Sequence, residues 1–277
     1  MTTWICSTCG LEHPDTEHPP ETCAICEDER QYVPDSGQSW TTHRALAEAG
    51  HRVSVQELEP DLYAVRCSPR FAIGQRGLLL RTPQGNLLWE PPGVFDAAAV
   101  AAIQDLGGAA VITASHPHLV GASVSYSHAL GDVPVLVAEA DRAWVRRPDP
   151  VVQFWGGTRE VLPGVKLLEC GGHFAGSAVA HWAAGAQGRG VLLTGDTIFV
   201  GGDRASVSAM RSYVNLIPLP APAIRRIRET VAPYAFDRLY GGFDHAVIDT
   251  GAHRVVVDSL TRYLGWIGGE LVPQEER

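Results

Sequence analysis

A chain of 277 residues with 45% hydrophobic and 19% charged side chains has the composition of a globular protein, with room for a small module and one large cored domain. Its net charge of −9, from 22 basic and 31 acidic side chains, and the lack of a long basic run argue against a nucleic-acid partner, whose phosphates demand clustered Lys and Arg. No apolar run approaches the ~20 residues that span a bilayer, which argues against a membrane partner; the first cysteines leave no room for a cleavable leader, so a reducing cytoplasm is the expected compartment.

The chain opens on Cys6-Ser7-Thr8-Cys9 and, thirteen residues later, Cys23-Ala24-Ile25-Cys26. Each pair forms a knuckle that aims two thiolates at one point, and two knuckles make the four-sulfur cage preferred by Zn²⁺ or a single iron. Two disulfides are the competing reading, though paired knuckles rarely serve that purpose. Gly10 stands where a knuckle wants positive φ, and Pro14, Pro19 and Pro20 exclude a helix from the stretch between the pairs. About thirty residues bury too little apolar surface to fold alone, so the ion has to act as their core. Cys67 and Cys170 read as buried free thiols.

Residues 27–40 read as a linker, which places the division at 1–36 and 37–277. Thr41 or Thr42 can cap a short helix ending near Gly50. From Asp61 the pattern is sheet-like: strands at Leu62–Arg66, Gly77–Arg81 and Asn86–Glu90, a helix Phe95–Leu106, and a buried strand Ala110–Thr113. A helix near Ser123–Leu130, a strand Val133–Val137 and a helix from Glu139 follow. The second half repeats the rhythm, with strands Val165–Glu169, Ala178–Ala183, Gly190–Thr194 and Arg238–Tyr240 and helices Ala221–Val231 and Ala252–Ile267. The tail 273–277 reads as frayed. Strand runs followed by helices predict a layered α/β body. The cluster Arg225, Arg226 and Arg228 has helical spacing and reads as a solvated face.

Histidine placement carries the chemistry. Ser115-His116-Pro117-His118 follows the buried strand directly. Pro117 favours an extended His116, and residues two apart in extended chain point the same way, so both rings can face one ion. His173 lies among glycines in Gly171-Gly172-His173-Phe174-Ala175-Gly176-Ser177, and Asp196 in Thr194-Gly195-Asp196-Thr197, each just past a strand end. Three histidines and one aspartate suit a borderline divalent ion. Taken singly, His173 is an ordinary loop histidine and Asp196 a turn former.

Two resemblances attach to these residues. Trp4-Ile5-Cys6-Ser7-Thr8-Cys9-Gly10 and Pro20-Glu21-Thr22-Cys23-Ala24-Ile25-Cys26 resemble the rubredoxin-like modules of rubrerythrins, over about residues 3–34. Rubredoxins pass electrons through iron, whereas zinc ribbons only hold structure, and the motif does not choose between them. From about Asp61 to Ile267, the order of His116 and His118, His173 and Asp196 resembles the metallo-β-lactamase fold, which implies a four-layer αββα sandwich with metals at one edge. The departures are equally specific. Val120 and Gly121 stand where that family's motif has Asp and His, which removes two ligands of a second metal. The family's last histidine has no counterpart in its usual slot; the chain offers Gly241-Gly242-Phe243-Asp244-His245 instead, from which His245 or Asp244 could reach the site from a displaced position.

The expectation is therefore a hydrolase of a small-molecule ester, thioester or lactone. Its ion, Zn²⁺ with iron as the alternative, is held by His116, His118 and His173, with Asp196 as a ligand or a base and His245 as a second catalytic candidate. Cys6, Cys9, Cys23 and Cys26 hold the other ion. Met210, Arg211, Tyr213 and Asn215 are candidate pocket residues, and the N-terminal module is a candidate docking surface for a protein partner. Two other readings stay open: an iron enzyme of redox or sulfur-oxygenating chemistry fed by the rubredoxin-like module, and a binding protein with a vestigial site.

Overall fold

Strand alternation in this protein, whose computed structural model describes residues 2–271, sorts side chains onto two faces. Leu78 and Leu80 face one way and Leu79 the other; Leu87 and Trp89 oppose Leu88; Leu167 opposes Leu168, and Leu193 opposes Leu192. The first set fills the space between two sheets, and the second meets helices on the outside. This is the four-layer αββα sandwich.

One sheet has seven strands in the order Val152–Trp155, Val135–Ala138, Val111–Thr113, Gly85–Trp89, Gly77–Thr82, Leu62–Ser68 and Arg52–Glu59. The other has six: Thr158–Leu162, Val165–Glu169, Ala178–Trp182, Val191–Gly195, Arg238–Gly241 and Val247–Ile248. Helices Ala97–Asp105 and Ser123–Ala129 cover the first sheet, and Ala221–Val231 and Ala252–Ile267 the second. Val111–Thr113 and Val191–Gly195 each pair in parallel with a neighbour, and their C-terminal ends open on the same edge, where the chain must turn. The predicted helices over 221–231 and 252–267 match the observed ones. Thr42 caps its helix by accepting from Ala45 N–H. Strand Arg52–Glu59 escapes the sequence reading because it is an edge strand whose buried residues are only Val53 and Glu59, too few to show alternation. The helix expected from Glu139 is a short 3₁₀ segment, Glu139–Trp144. The tail 273–277 lies outside the described residues. Cys67 is half-buried rather than buried, and Cys170 is fully buried; both are free.

The N-terminal module packs onto the edge where the site forms. Strands Thr2–Cys6 and Glu12–Thr16 pair antiparallel, and Trp40–Thr41 joins on the other side. Residues 27–40 are thus no free linker. Gly10 has φ +78°, as the knuckle requires, and a Cβ on Gly93 would lie 2.5 Å from the Gly10 carbonyl oxygen, so the two backbones touch. Glu12 is the electrostatic clasp. Its buried carboxylate meets His43 Nε2 at 2.7 Å and Arg147 at 2.9 Å, and it accepts from Ser125 Oγ. Burial opposes its charge, yet His43, Arg147 and Ser125 together hold its pKa below the usual value. Glu12→Ala should lower unfolding free energy by about 3 kcal/mol at neutral pH, because Arg147 and His43 lose their partner in a dry contact. Urea unfolding measures this, and a loss within error of zero would show that the clasp is not holding the module.

Candidate metal centre

Four sulfurs converge in the module. Cys6 Sγ lies 3.6 Å from Cys26 Sγ, and Cys9 Sγ 3.7 Å from Cys23 Sγ. A disulfide would put sulfurs ~2.05 Å apart, and all six cysteines are free, which removes the disulfide reading. A tetrahedral cage with metal–sulfur bonds of ~2.3 Å has edges of about 3.8 Å, close to what is seen. Burial pushes the Cys9 thiol well above its ordinary value, so without a cation these sulfurs cannot all ionise. Gln38 Nε2 donates to Cys6 Sγ at 3.1 Å, a hydrogen bond that favours thiolate.

The second group gathers at the sandwich edge. Ligand nitrogens of His116, His118 and His173 all lie within 4.8 Å of one another, and the three residues are buried. His116 is extended, as expected, at φ −166° and ψ 170°. His118 is not. Pro117 opens a 3₁₀ turn, Pro117–Leu119, because its fixed φ suits the first position of a helix as well as a strand. The two rings still converge, since His118 turns its Nδ1 inward, 3.4 Å from His173 Nε2. Metal–nitrogen bonds of ~2.05 Å in a tetrahedron would place ligand nitrogens about 3.3 Å apart.

Surrounding groups orient the rings. His173 Nδ1–H donates to the carbonyls of Arg211 at 2.9 Å and Met210 at 3.2 Å, which leaves Nε2 as a lone pair facing the other rings. His116 Nδ1 lies 2.8 Å from Ser115 Oγ, which donates to Glu90 Oε1. When Glu90 is ionised, as a cation at the histidines would favour, Ser115 spends its single proton on the carboxylate and accepts from Nδ1–H, so His116 Nε2 is then a bare lone pair as well. That Nε2 is buried without a hydrogen-bond partner, as are Asp196 Oδ1 and Glu90 Oε2. Orphaned buried acceptors of this kind are what a cation satisfies. Burial keeps His116 and His118 well below the usual imidazole range and brings His173 down to about 4. All three are neutral at pH 7, the form that binds metal.

Asp196 Oδ2 lies 4.0 Å from His116 Nε2, beside the trio rather than within it. Its side chain is 14% exposed, and burial pushes its pKa up to about 7. His245 is exposed and stacks on Phe243, outside the group, and Asp244 pairs with Arg66. The structure thus places His245 apart from the three converging histidines. Gly121 explains one missing ligand: at φ +54° its Cβ would lie 2.1 Å from the Pro91 carbonyl oxygen, so no side chain fits. Val120 lies with His116, Pro117, Val137 and Asp141 around a small separate cavity and does not line the one over His118 and His173. Among the described residues, the cysteine and histidine clusters are the two groups that converge as metal ligands.

A cavity of about 290 Å³ opens over His118, His173 and Asp196. Of the four pocket candidates from the sequence, only Tyr213 lines it; Met210 and Arg211 serve through their carbonyls, and Asn215 ties to the module. Phe199 and Phe243 form one wall, and Thr8, Arg30, Gln31 and Tyr32 of the module another. That second wall was invisible in the sequence, as was Glu90. The only hint of Glu90 was a charge ending a buried strand, and it sits at φ +54°, fully buried, with burial and the Asp196 carboxylate raising its pKa to about 8.

The comparisons agree with this architecture. Solved metallo-β-lactamases superpose on it: DIM-1 with a TM-score of 0.57 at 10% identity, over 76% of this chain and 98% of that one, and SMB-1 in complex with mercaptoacetic acid with 0.54 at 17%, over 78% and 97%. The fold is that of the metallo-β-lactamases, preceded by a four-cysteine module. No family model matches the chain. It is 42% identical over 273 residues to the uncharacterized protein YmaE of Bacillus subtilis (strain 168), covering 98% of this chain and 99% of that protein, and belongs to the same family. No helix of the described residues is long and apolar enough to cross a membrane.

Two outcomes follow. Ser115→Ala should weaken metal binding at the histidines about 10-fold or more, because His116 loses the partner that fixes its tautomer; chelator competition reads the change. The His173 pKa is lowered, so in metal-free protein its contribution is fully present above the unfolded value near 6.5 and is lost as pH falls toward about 4. Between pH 7 and pH 5 the metal-free protein should lose on the order of 2 kcal/mol more than His173→Gln does. Parallel denaturation curves of the two proteins would contradict a buried neutral ring.

Proposed function

We propose that this protein is a metal-dependent hydrolase of a small ester-, thioester- or lactone-type substrate. His116, His118 and His173 hold its ion, with Asp196 beside them. The observation that supports it is three buried, neutral imidazoles whose ring nitrogens converge, two of them, His118 and His173, lining a cavity of about 290 Å³. The neutral donor set suits a borderline ion, zinc foremost. When bound, such an ion supplies Lewis acidity and makes water nucleophilic near neutral pH.

The chain's own groups do the rest. Asp196 Oδ1 has no protein partner, and a cation at the histidines would favour its charged form, so it can take a proton from an attacking water and return it to a leaving group. Tyr213 Oη donates to the Asp196 backbone carbonyl at 2.8 Å and holds that turn in place. Phe199, Phe243 and Tyr213 narrow the cavity and exclude bulk water, while half-exposed Tyr32 and Val214 make its mouth apolar. The lining favours a substrate with an apolar body. The cysteine cage holds a second zinc in a purely structural role.

A specific contact favours one other reading. Trp144 packs on the cysteine cluster and lies 5.4 Å from Phe174, whose ring is 4.8–5.6 Å from all three histidines. Iron in the cage and at the histidines would use this aromatic bridge for electron transfer.

Elemental analysis separates the readings. The hydrolase should carry two zincs per chain, and His116→Ala should keep the cage ion, lose the other, and lose thioester and ester hydrolysis by at least about 100-fold. Iron in a coloured protein would replace the hydrolase by the redox reading. Unchanged metal content in His116→Ala would overturn both.

A further inference from the structure

The four-cysteine module does more than sit beside the histidine site. Four residues past Cys26, Arg30 is 6% exposed, with its guanidinium carbon 3.6 Å above the Phe174 ring and 4.7 Å from Trp144. It forks onto both oxygens of Asp28 and donates to the His173 carbonyl at 3.4 Å. Phe174 is fully buried and touches all three histidine rings. On the other side of His173, Glu29 Oε1 accepts from Arg211 Nε at 2.8 Å, and the Arg211 carbonyl is the oxygen that receives His173 Nδ1–H. Asn215 Nδ2 donates to the carbonyls of Glu29 and Gln31, closing the contact. His173 is thus gripped through its own carbonyl by Arg30 and through its ring partner by Glu29.

We propose that the segment Asp28–Gln31 of the N-terminal module positions His173, so that the histidine site reaches full metal affinity only when the cysteine cage is assembled. The proposal rests on the reading that the histidines hold an ion. Apart from the contacts to Phe174, Trp144, His173, Arg211 and Asn215 that do the positioning, the cage is what anchors the segment. Its local ties are Glu27 N–H to the Cys23 carbonyl and Gln31 N–H to the Asp28 carbonyl. A chain so short and polar, released from Cys23 and Cys26, has no apolar reason to stay. Arg30 suits the task because a planar guanidinium can stack on Phe174 while its edge serves Asp28 and the carbonyl; a lysine ammonium cannot do both. Binding free energies are linked, so an ion at the histidines should in turn tighten the cage by the same factor.

Electrostatics alone predicts the opposite sign. Arg30 is a cation close to the histidines and lowers the pKa of each. Removing it leaves Asp28 unpaired, which would make the site more attractive to a metal cation. Positioning predicts weaker binding.

Cobalt(II) titration of the metal-free full chain decides. Sulfur-to-cobalt charge transfer reports the cage, and the weaker ligand-field bands with total stoichiometry report the histidines. Arg30→Ala should leave the cage titration unchanged and weaken the histidine site about 10-fold or more, and Arg30→Lys should restore only part of the loss. Glu29→Gln, a change at an exposed side chain, should weaken the same site several-fold. Histidine-site affinity equal to or tighter than wild type in Arg30→Ala overturns the proposal. Should Arg30→Ala fail to form the cage, wild-type affinity in Glu29→Gln overturns it instead. Wild-type protein that binds cobalt only at the cage overturns the proposed function as well, whereas normal loading with unaffected variants overturns the coupling alone.

Discussion

Three imidazoles held neutral, with their lone pairs turned toward one another, are the constraint around which the rest of this protein is arranged. With His173 Nδ1–H committed to backbone carbonyls, His173 Nε2 faces His118 Nδ1 at 3.4 Å as a lone pair; once His118 carries its proton on Nε2, two lone pairs oppose each other and that Nε2–H has no partner. Such an arrangement costs free energy unless a cation occupies the centre. It persists because each ring is fastened from behind: His116 by Ser115 and Glu90, His173 by the Met210 and Arg211 carbonyls, and His118 by the turn that Pro117 begins.

The carboxylates explain how the site balances charge. Glu90 and Asp196 are both pushed up, to about 8 and about 7, by burial in a space shaped by Gly195 and Gly242. A side chain at Gly195 would strike Ser115 Oγ and Glu90 Oε1, so that glycine allows the relay to His116 to form. An ion at the histidines would draw both carboxylates toward their charged forms, and an ionised Glu90 is the state in which Ser115 leaves His116 Nε2 free. Ligand orientation and cation binding are therefore mutually reinforcing.

The losses around the trio are structural as well as chemical. Gly121 cannot be read as a decayed histidine, because the Pro91 carbonyl occupies the space a side chain would need. Val120 does not line the cavity over His118 and His173. What fills the edge instead is the N-terminal module, whose Arg30, Gln31 and Tyr32 make a wall of the cavity. The module's docking depends on Glu12, its buried neighbours, and the backbone contact of Gly10 with Gly93.

Local pattern was enough for the cysteine knuckles, the helices Ala221–Val231 and Ala252–Ile267, and the layered α/β body, because each is written in spacing or periodicity within a few residues. The His116, His118 and His173 group was legible for a related reason: each histidine follows a strand end, and strand ends in such a body share an edge. Edge strand Arg52–Glu59 was not legible, since one exposed face and a polar sequence leave no alternation to see. Nor were Glu90, the Arg30 stack or the place of His245 outside the histidine group, for these depend on which distant segments meet. Sequence by itself determined the two donor sets and the class of fold, because donor chemistry and hydrophobic period are local properties. Only tertiary structure decided which nitrogen of each ring faces inward, which carboxylates are buried, and that the module forms part of the cavity, because hydrogen-bond partners and desolvation are set by residues tens of positions apart, and for the module more than a hundred.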